Sequence, residues 1–306
     1  MIILLLLVTF KLIFIAFPAT ALAGAREGLL LWFNSVLPAL LPFIIIINML
    51  VALGFARFIG GFLSGFMGKI FRLPGQSGLA FIIGLTSGYP IGAKTIASLH
   101  KQNEIDRKQA QQLLGFCNNA GPIFILSVVG AGFFANATIG YILWIGHVVG
   151  AVMVGILLRG EKRDIVPNRN KTKLHIDTNT MGEHFGAAVE NGMKSILVIG
   201  GVIIFFSSII KVLEDIGLPE NGVTAGLISG LFEATHGLRD VSTAGVGLWP
   251  LAAASFLLAF GGLSIHMQTL HFIAGIGVKY SYYVFSKILH GVIAAVVTIL
   301  LWWIVG

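Results

Sequence analysis

Four short polar runs interrupt otherwise apolar stretches of this chain, and they hold the side chains able to do chemistry. The first, Gly84-Leu-Thr-Ser-Gly-Tyr-Pro-Ile-Gly-Ala-Lys94, sets the hydroxyls of Thr86 and Ser87, the bare backbone of Gly88 and the ammonium of Lys94 inside a hydrophobic segment. The second, Cys117-Asn-Asn-Ala-Gly-Pro122, brings the amides of Asn118 and Asn119. Because Pro122 has no N–H, carbonyls ahead of it are free to accept from a ligand or to coordinate a cation. The third, Gly226-Leu-Ile-Ser-Gly-Leu-Phe-Glu-Ala-Thr-His-Gly237, places Glu233 and His236 three residues apart, one helical turn, as a carboxylate beside a proton acceptor. The fourth, Gly261-Gly-Leu-Ser-Ile-His-Met-Gln268, offers Ser264 and Gln268.

Amides and hydroxyls supply donors and acceptors together, so the chemistry these residues suit is binding of a small polar solute, with a proton or cation as the coupling ion. Each has a plainer reading. Asn118 and Asn119 also suit hydrogen bonding between helices. Glu233 can simply pair with Arg239 or with Lys94, the latter being the partner expected here if that ammonium lies beside the first break. His266, His271 and His290 read as packing residues. No His-x3-His pair and no carboxylate cluster has metal-ligand spacing, and Gly-x4-Gly-Lys-Ser/Thr is missing from the sequence. The chain is therefore expected to hold no metal or cofactor and not to be an enzyme, since no nucleophile and base stand together.

The elements that must position these residues are membrane helices. The chain is 56% hydrophobic and 11% charged, with 39 glycines and 23 phenylalanines in 306 residues, and a mean hydropathy of +0.92. That composition excludes an ordinary soluble domain. A net charge of +7 would suggest nucleic acid in a soluble protein, but here the basic residues gather in loops between apolar spans, as the positive-inside rule describes. No nucleic-acid partner is needed; the partner is the lipid bilayer of the cell membrane. Cys117 is the one cysteine, so there is no internal disulfide.

Along the chain, residues 2–23 read as a retained first helix, although Ala19-Thr-Ala-Leu-Ala23 also resembles a signal-cleavage site. Leu29 to Gly54 reads as a span kinked by Pro38 and Pro42, and Phe55 to Leu73 as an interfacial helix. Residues 76–99 can be one spanning helix of about 36 Å or a re-entrant hairpin turning at Ser87-Gly-Tyr-Pro90. Charge favours the hairpin, because it leaves the basic 55–73 segment and the Lys101 to Lys108 loop on the same, cytoplasmic side. Leu113 to Phe134 and Ile139 to Leu158 follow as spans. The 159–173 loop carries Arg159, Lys162, Arg163, Arg169, Lys171 and Lys173 against Glu161 and Asp164, and reads as a cytoplasmic anchor. An amphipathic approach over Met181 to Asn191, a span from Ser195 to Val212, a second hairpin over 221–247 and spans over 249–275 and 281–305 complete the chain.

The Gly-Leu-x-Ser-Gly opening of the first hairpin, at Gly84, recurs 142 positions later at Gly226, and Leu113-Leu-Gly-Phe116 recurs 144 positions later as Leu257-Leu-Ala-Phe260. Three spans separate the hairpins, so the second should enter from the opposite face. The fold expected is an all-α polytopic membrane protein of two inverted repeats, each a re-entrant helical hairpin followed by a broken transmembrane helix. Its parts are N-terminal helices over 1–54, a first repeat over 55–158, a basic linker over 159–193 and a second repeat over 194–306.

Arg72-Leu-Pro-Gly75, Thr86-Ser-Gly-Tyr-Pro-Ile-Gly-Ala-Lys94, Leu113-Leu-x-Phe-x-Asn-Asn119, Gly261-Gly-Leu-Ser-Ile-His-Met-Gln268 and Lys287-Ile-Leu-His290 resemble the YlbJ family of sporulation integral membrane proteins, which belongs with the nucleoside-recognition, or Gate, proteins. The resemblance covers residues 30–300. It implies paired re-entrant hairpins, each followed by a broken span, and a part in making resistant spores. Two functions follow as expectations. One is a transporter or permease for a small polar solute, nucleoside-like or ion-coupled, with a hydrated midplane cavity lined by Thr86, Ser87, Asn118, Asn119, Glu233 and Gln268. The other is a non-transporting membrane scaffold or assembly factor, and a homo-oligomer is compatible with either.

Overall fold

A computed structural model describes residues 2–160, 181–219 and 221–305. The expected anchor residues Glu161, Lys162, Arg163, Asp164, Arg169, Lys171 and Lys173 lie outside the described residues. Among those described, every regular element is helical. Helix α1 (Ile2–Ala16) and α2 (Pro18–Leu31) meet at a bend of 106°, so the single helix expected over 2–23 is two. Pro18 is the reason, since it opens α2 and cannot donate back into α1. From α2 the helix continues through a π-helical turn, Trp32–Val36, into α3 (Leu37–Ala52). The second span therefore starts well before Leu29, with Pro38 accommodated just after the widened turn. An 85° bend leads into α4 (Phe55–Phe66), which ends in a π turn over Met67–Phe71. That angle fits a helix lying along an interface.

Residues 76–99 do not form one helix. Helix α5 (Ser77–Thr86) and α6 (Ile91–Lys101) are separate and pack on each other. Asp106 and Gln109 form a capping box, each side chain bonded to the other's backbone N–H at 2.8 Å, which starts α7 (Arg107–Cys117). The chain then breaks at Asn118 and resumes as a π helix over Phe124–Phe133. Asn136 caps α8 (Ala137–Leu157) by accepting from Thr138 N–H at 2.9 Å. The expected approach and span over 181–212 are instead one helix, α9 (Met181–Asp215). With 35 residues it is about 52 Å long, well beyond the roughly 30 Å of bilayer hydrocarbon. Glu233 alone separates α10 (Gly222–Phe232) from α11 (Ala234–Ser242), again a packed pair. Two successive left-handed residues, Gly261 (φ 85°) and Gly262 (φ 71°), end α12 (Leu248–Phe260) and restart the chain as α13 (Gly262–Phe272), a conformation that suits glycine. Helix α14 (Tyr280–Val305) closes the chain.

Among the described residues four stretches, α8, α9, Leu248–Phe272 and α14, are long and apolar enough to cross a membrane, and six are if each bent pair near the N-terminus counts as a span. Small residues let them approach, as is usual where lipid removes the hydrophobic drive between helices. Gly24 and Gly28 of α2 sit against Ser207 and Ser208 of α9, while Gly146 and Gly150 of α8 face Thr298, Ala294 and His290 of α14.

Contacts sort the loops into two ends. At one, Arg57 pairs with Glu104, Arg72 Nη1 donates to Gly160 O at 3.1 Å, and Lys279 N–H donates to Gln111 Oε1 at 3.0 Å. At the other, where α9 finishes, Thr20 donates to Asp215 at 2.8 Å and Arg239 stands 4.0 Å from Glu214. The base of the first hairpin belongs to the first end and that of the second hairpin to the other. Single cysteines placed in a Cys117→Ala background at Gln102 and Lys279 should therefore label from the cytoplasm, and those at Thr20 and Ser242 from outside. Labelling of Gln102 and Lys279 from opposite sides would refute the arrangement.

Candidate functional site

The first hairpin and the first broken span meet backbone to backbone. Gly84 and Gly92, one on each arm, both face the Cys117 carbonyl, and Gly88 at the tip faces Gly121. This seating holds Asn118 extended (φ −109°, ψ 91°) and fully buried. Its Oδ1 accepts from Ala93 N–H at 3.3 Å, and its Nδ2 donates to Thr269 Oγ1 and Tyr283 Oη, each at 2.9 Å. One asparagine thus joins α6 to α13 and α14.

The carbonyl of Asn118, freed by the break, accepts from Lys287 Nζ at 2.6 Å. Lys287 lies on α14 with no solvent exposure, and its other partner is His290 Nδ1 at 3.2 Å. The tautomers follow from the partners. His290 Nε2 is 2.9 Å from His147 O, which can only accept, so Nε2 carries the proton and Nδ1 offers its lone pair to the lysine. His147 Nε2 accepts from Ala120 N–H at 3.1 Å, which puts its proton on Nδ1, a buried atom without a partner among the described residues. Among the described residues Lys287 makes no ion pair. A buried ammonium is thus held by a carbonyl and a neutral imidazole alone, an arrangement that still lacks an anion.

Asn119 is equally buried; its Nδ2 donates to Phe116 O at 2.7 Å and its Oδ1 has no partner among the described residues. Gln268 Nε2 donates to Ser264 Oγ at 3.3 Å, and Gln268 Oε1 is likewise unpaired and buried. Trp144, one turn before His147 on α8, keeps a buried indole N–H unpaired. In this conformation Asn118, Asn119, Ser264 and Gln268 are sealed from solvent.

The remaining expected residues stand apart. Thr86 is exposed and its hydroxyl donates back to Ile82 O at 2.8 Å, so it serves its own helix. Ser87 is half-buried beside it. Lys94 does not pair with Glu233. It points to α9, where Nζ donates to Ser195 Oγ at 2.7 Å and to Asn191 O at 3.4 Å. Glu233 is engaged elsewhere, capping α11 through His236 N–H and bonding His236 Nδ1, both at 3.0 Å. The carboxylate and imidazole expected three residues apart do meet, in a second buried cluster. Lys287, Tyr283, Thr269 and His147 were absent from the expected site. Lys287 had a legible signal, an ionisable residue within an apolar span. Among the described residues no group of three His, Cys, Asp or Glu side chains is placed to hold a metal ion.

Residues 33–137 match the family model described as nucleoside recognition, Gate. Over 94% of its length the chain is 34% identical to the sporulation integral membrane protein YlbJ of Bacillus subtilis (strain 168), of which the match covers 79%. The chain belongs to the YlbJ family. With its candidate spans, that makes it an integral, multi-pass membrane protein. No solved structure matches it. In this YlbJ-family chain the Gate match takes in the first hairpin and the Asn118–Asn119 break, whereas Thr269, Tyr283 and Lys287, which complete the polar network, come from the last two helices, α13 and α14.

Proposed function

We propose that this protein is a transporter or permease for a small polar solute in the membrane of a sporulating cell. Its two repeats, 55–158 and 194–306, would be related by inversion, a reading supported by hairpins that open at opposite ends. The observation that carries the proposal is Lys287, a buried cation held only by neutral groups where the two broken spans and the first hairpin meet. An ionisable group at such depth is costly, and in membrane proteins such groups commonly mark substrate or ion pathways. Unpaired donors on His147 and Trp144 nearby on α8 favour a solute with an anionic or strongly accepting group. Opening of the hairpin tips would expose the site, and the sealed conformation is the occluded one. Glu233 and His236 are the candidates for proton coupling.

The sealed core also suits the second reading, a scaffold that moves nothing. Uptake into proteoliposomes, measured with a panel of nucleosides, mono- and dicarboxylates and metal cations, separates the two. At least one nucleoside or carboxylate should be taken up in a way that Asn118→Ala abolishes. If the whole panel is excluded, while Asn118→Ala still supports spore formation in cells, transport is wrong.

A further inference from the structure

Away from the buried network, a cavity of about 430 Å³ opens at the cytoplasmic end, within the size range of small-ligand sites. Its wall includes Arg72 beyond the π turn, Arg107, Lys108 and Gln111 in the first turns of α7, and Lys279 and Tyr282 around the start of α14. Four cations converge, and among the described residues no carboxylate lines the cavity. The acids of the neighbouring loop are turned to other work: Glu104 pairs with Arg57, and Asp106 caps α7. Gln111 spends its Oε1 on Lys279 N–H, so what it has left for the cavity is its amide donors. Arg72 uses one guanidinium N–H on Gly160 O and keeps the rest of its fork.

We infer that this cavity is a phosphate-binding site. Guanidinium forks beside ammonium groups match the geometry and charge of a phosphate oxyanion better than they match a lone carboxylate. Its position favours a phosphate at the bilayer surface, because α8 ends and α14 begins there and both are apolar enough to span. Basic pockets between transmembrane helices on the cytoplasmic side take lipid head groups in this way. A soluble phosphate compound would use the same donors, and the two sources can be separated.

The test uses the full chain in neutral detergent, following the thermal unfolding midpoint. In one arm phosphatidylglycerol is compared with phosphatidylcholine; in the other, inorganic phosphate with chloride at equal ionic strength. Phosphatidylglycerol should raise the midpoint by about 3 °C or more, and Arg107→Gln combined with Lys279→Gln should weaken its apparent affinity at least about tenfold. Lys69→Gln combined with Lys101→Gln, which alters exposed cations outside the cavity, should leave the shift intact. A shift with phosphatidylglycerol alone assigns the site to lipid, and one with inorganic phosphate as well assigns it to a soluble phosphate. The inference fails if neither probe shifts the midpoint, or if the outside pair loses as much as the cavity pair. Should the cavity pair prove unstable, Lys108→Gln, at an exposed position, must still lower the affinity; an unchanged affinity there also overturns the site.

Discussion

Lys287→Met should abolish transport while the protein continues to fold and accumulate. The substitution removes an ammonium whose insertion costs about 2.5–3.5 kcal/mol on translocon scales and leaves the Asn118 carbonyl and His290 Nδ1 without their donor. Each orphaned acceptor costs roughly 1–3 kcal/mol, so the two effects largely offset and stability changes little. Function does not enjoy that compensation. If the ammonium is the charge that meets the solute, losing a buried charge-assisted contact is worth about 2–5 kcal/mol, or a fall in uptake of at least about 30-fold at roughly 1.4 kcal/mol per decade. Uptake per reconstituted molecule, with the unfolding midpoint as control, reads both. A Met variant that transports normally would reduce Lys287 to a packing residue. Asn118→Ala differs from it, because it unties α6, α13 and α14 at once.

What the sequence made legible was backbone, and what it hid was partnership. Gly and Pro clustered with polar residues inside apolar runs marked the breaks at 87–90, 118–123 and 261, because Pro lacks the N–H and Gly readily turns left-handed, and the polar run 226–237 marked the break at Glu233. The join between approach and span in α9 was misread because Glu190, Asn191 and Lys194 look like a boundary. Helical hydrogen bonding continues through polar residues wherever nothing removes an N–H. Lys94 was assigned to the wrong acceptor for a different reason. Its true partners, Ser195 and Asn191, lie about a hundred positions away on a helix whose neighbours no local pattern announces. Lys287 sat in a recognisable motif, but its importance became visible only when α14 was seen to lie against the Asn118 carbonyl.

Gly84→Ala should cost the fold more than any other single methyl added to the chain's glycines at these breaks. An ideal Cβ at Gly84 falls well inside van der Waals contact of the Cys117 carbonyl oxygen, and one at Gly92 meets the same oxygen from the other arm. The obstacle is backbone, not the end of a flexible side chain, so relief requires the hairpin to back away from the broken span. That movement would pull Ala93 N–H from Asn118 Oδ1 and loosen the seat on which the polar network rests. Overpacking of this kind typically costs about 1–3 kcal/mol and more where the surroundings cannot yield. The expected result is poor accumulation in cells and a midpoint lowered by several degrees in detergent. Gly61→Ala and Gly201→Ala are the controls, since a methyl at either position meets nothing within 4 Å, and both should match the parent. If Gly84→Ala is as stable as these controls, the arms do not clasp the Cys117 carbonyl as described, and the positioning of Asn118 by the hairpin falls with them.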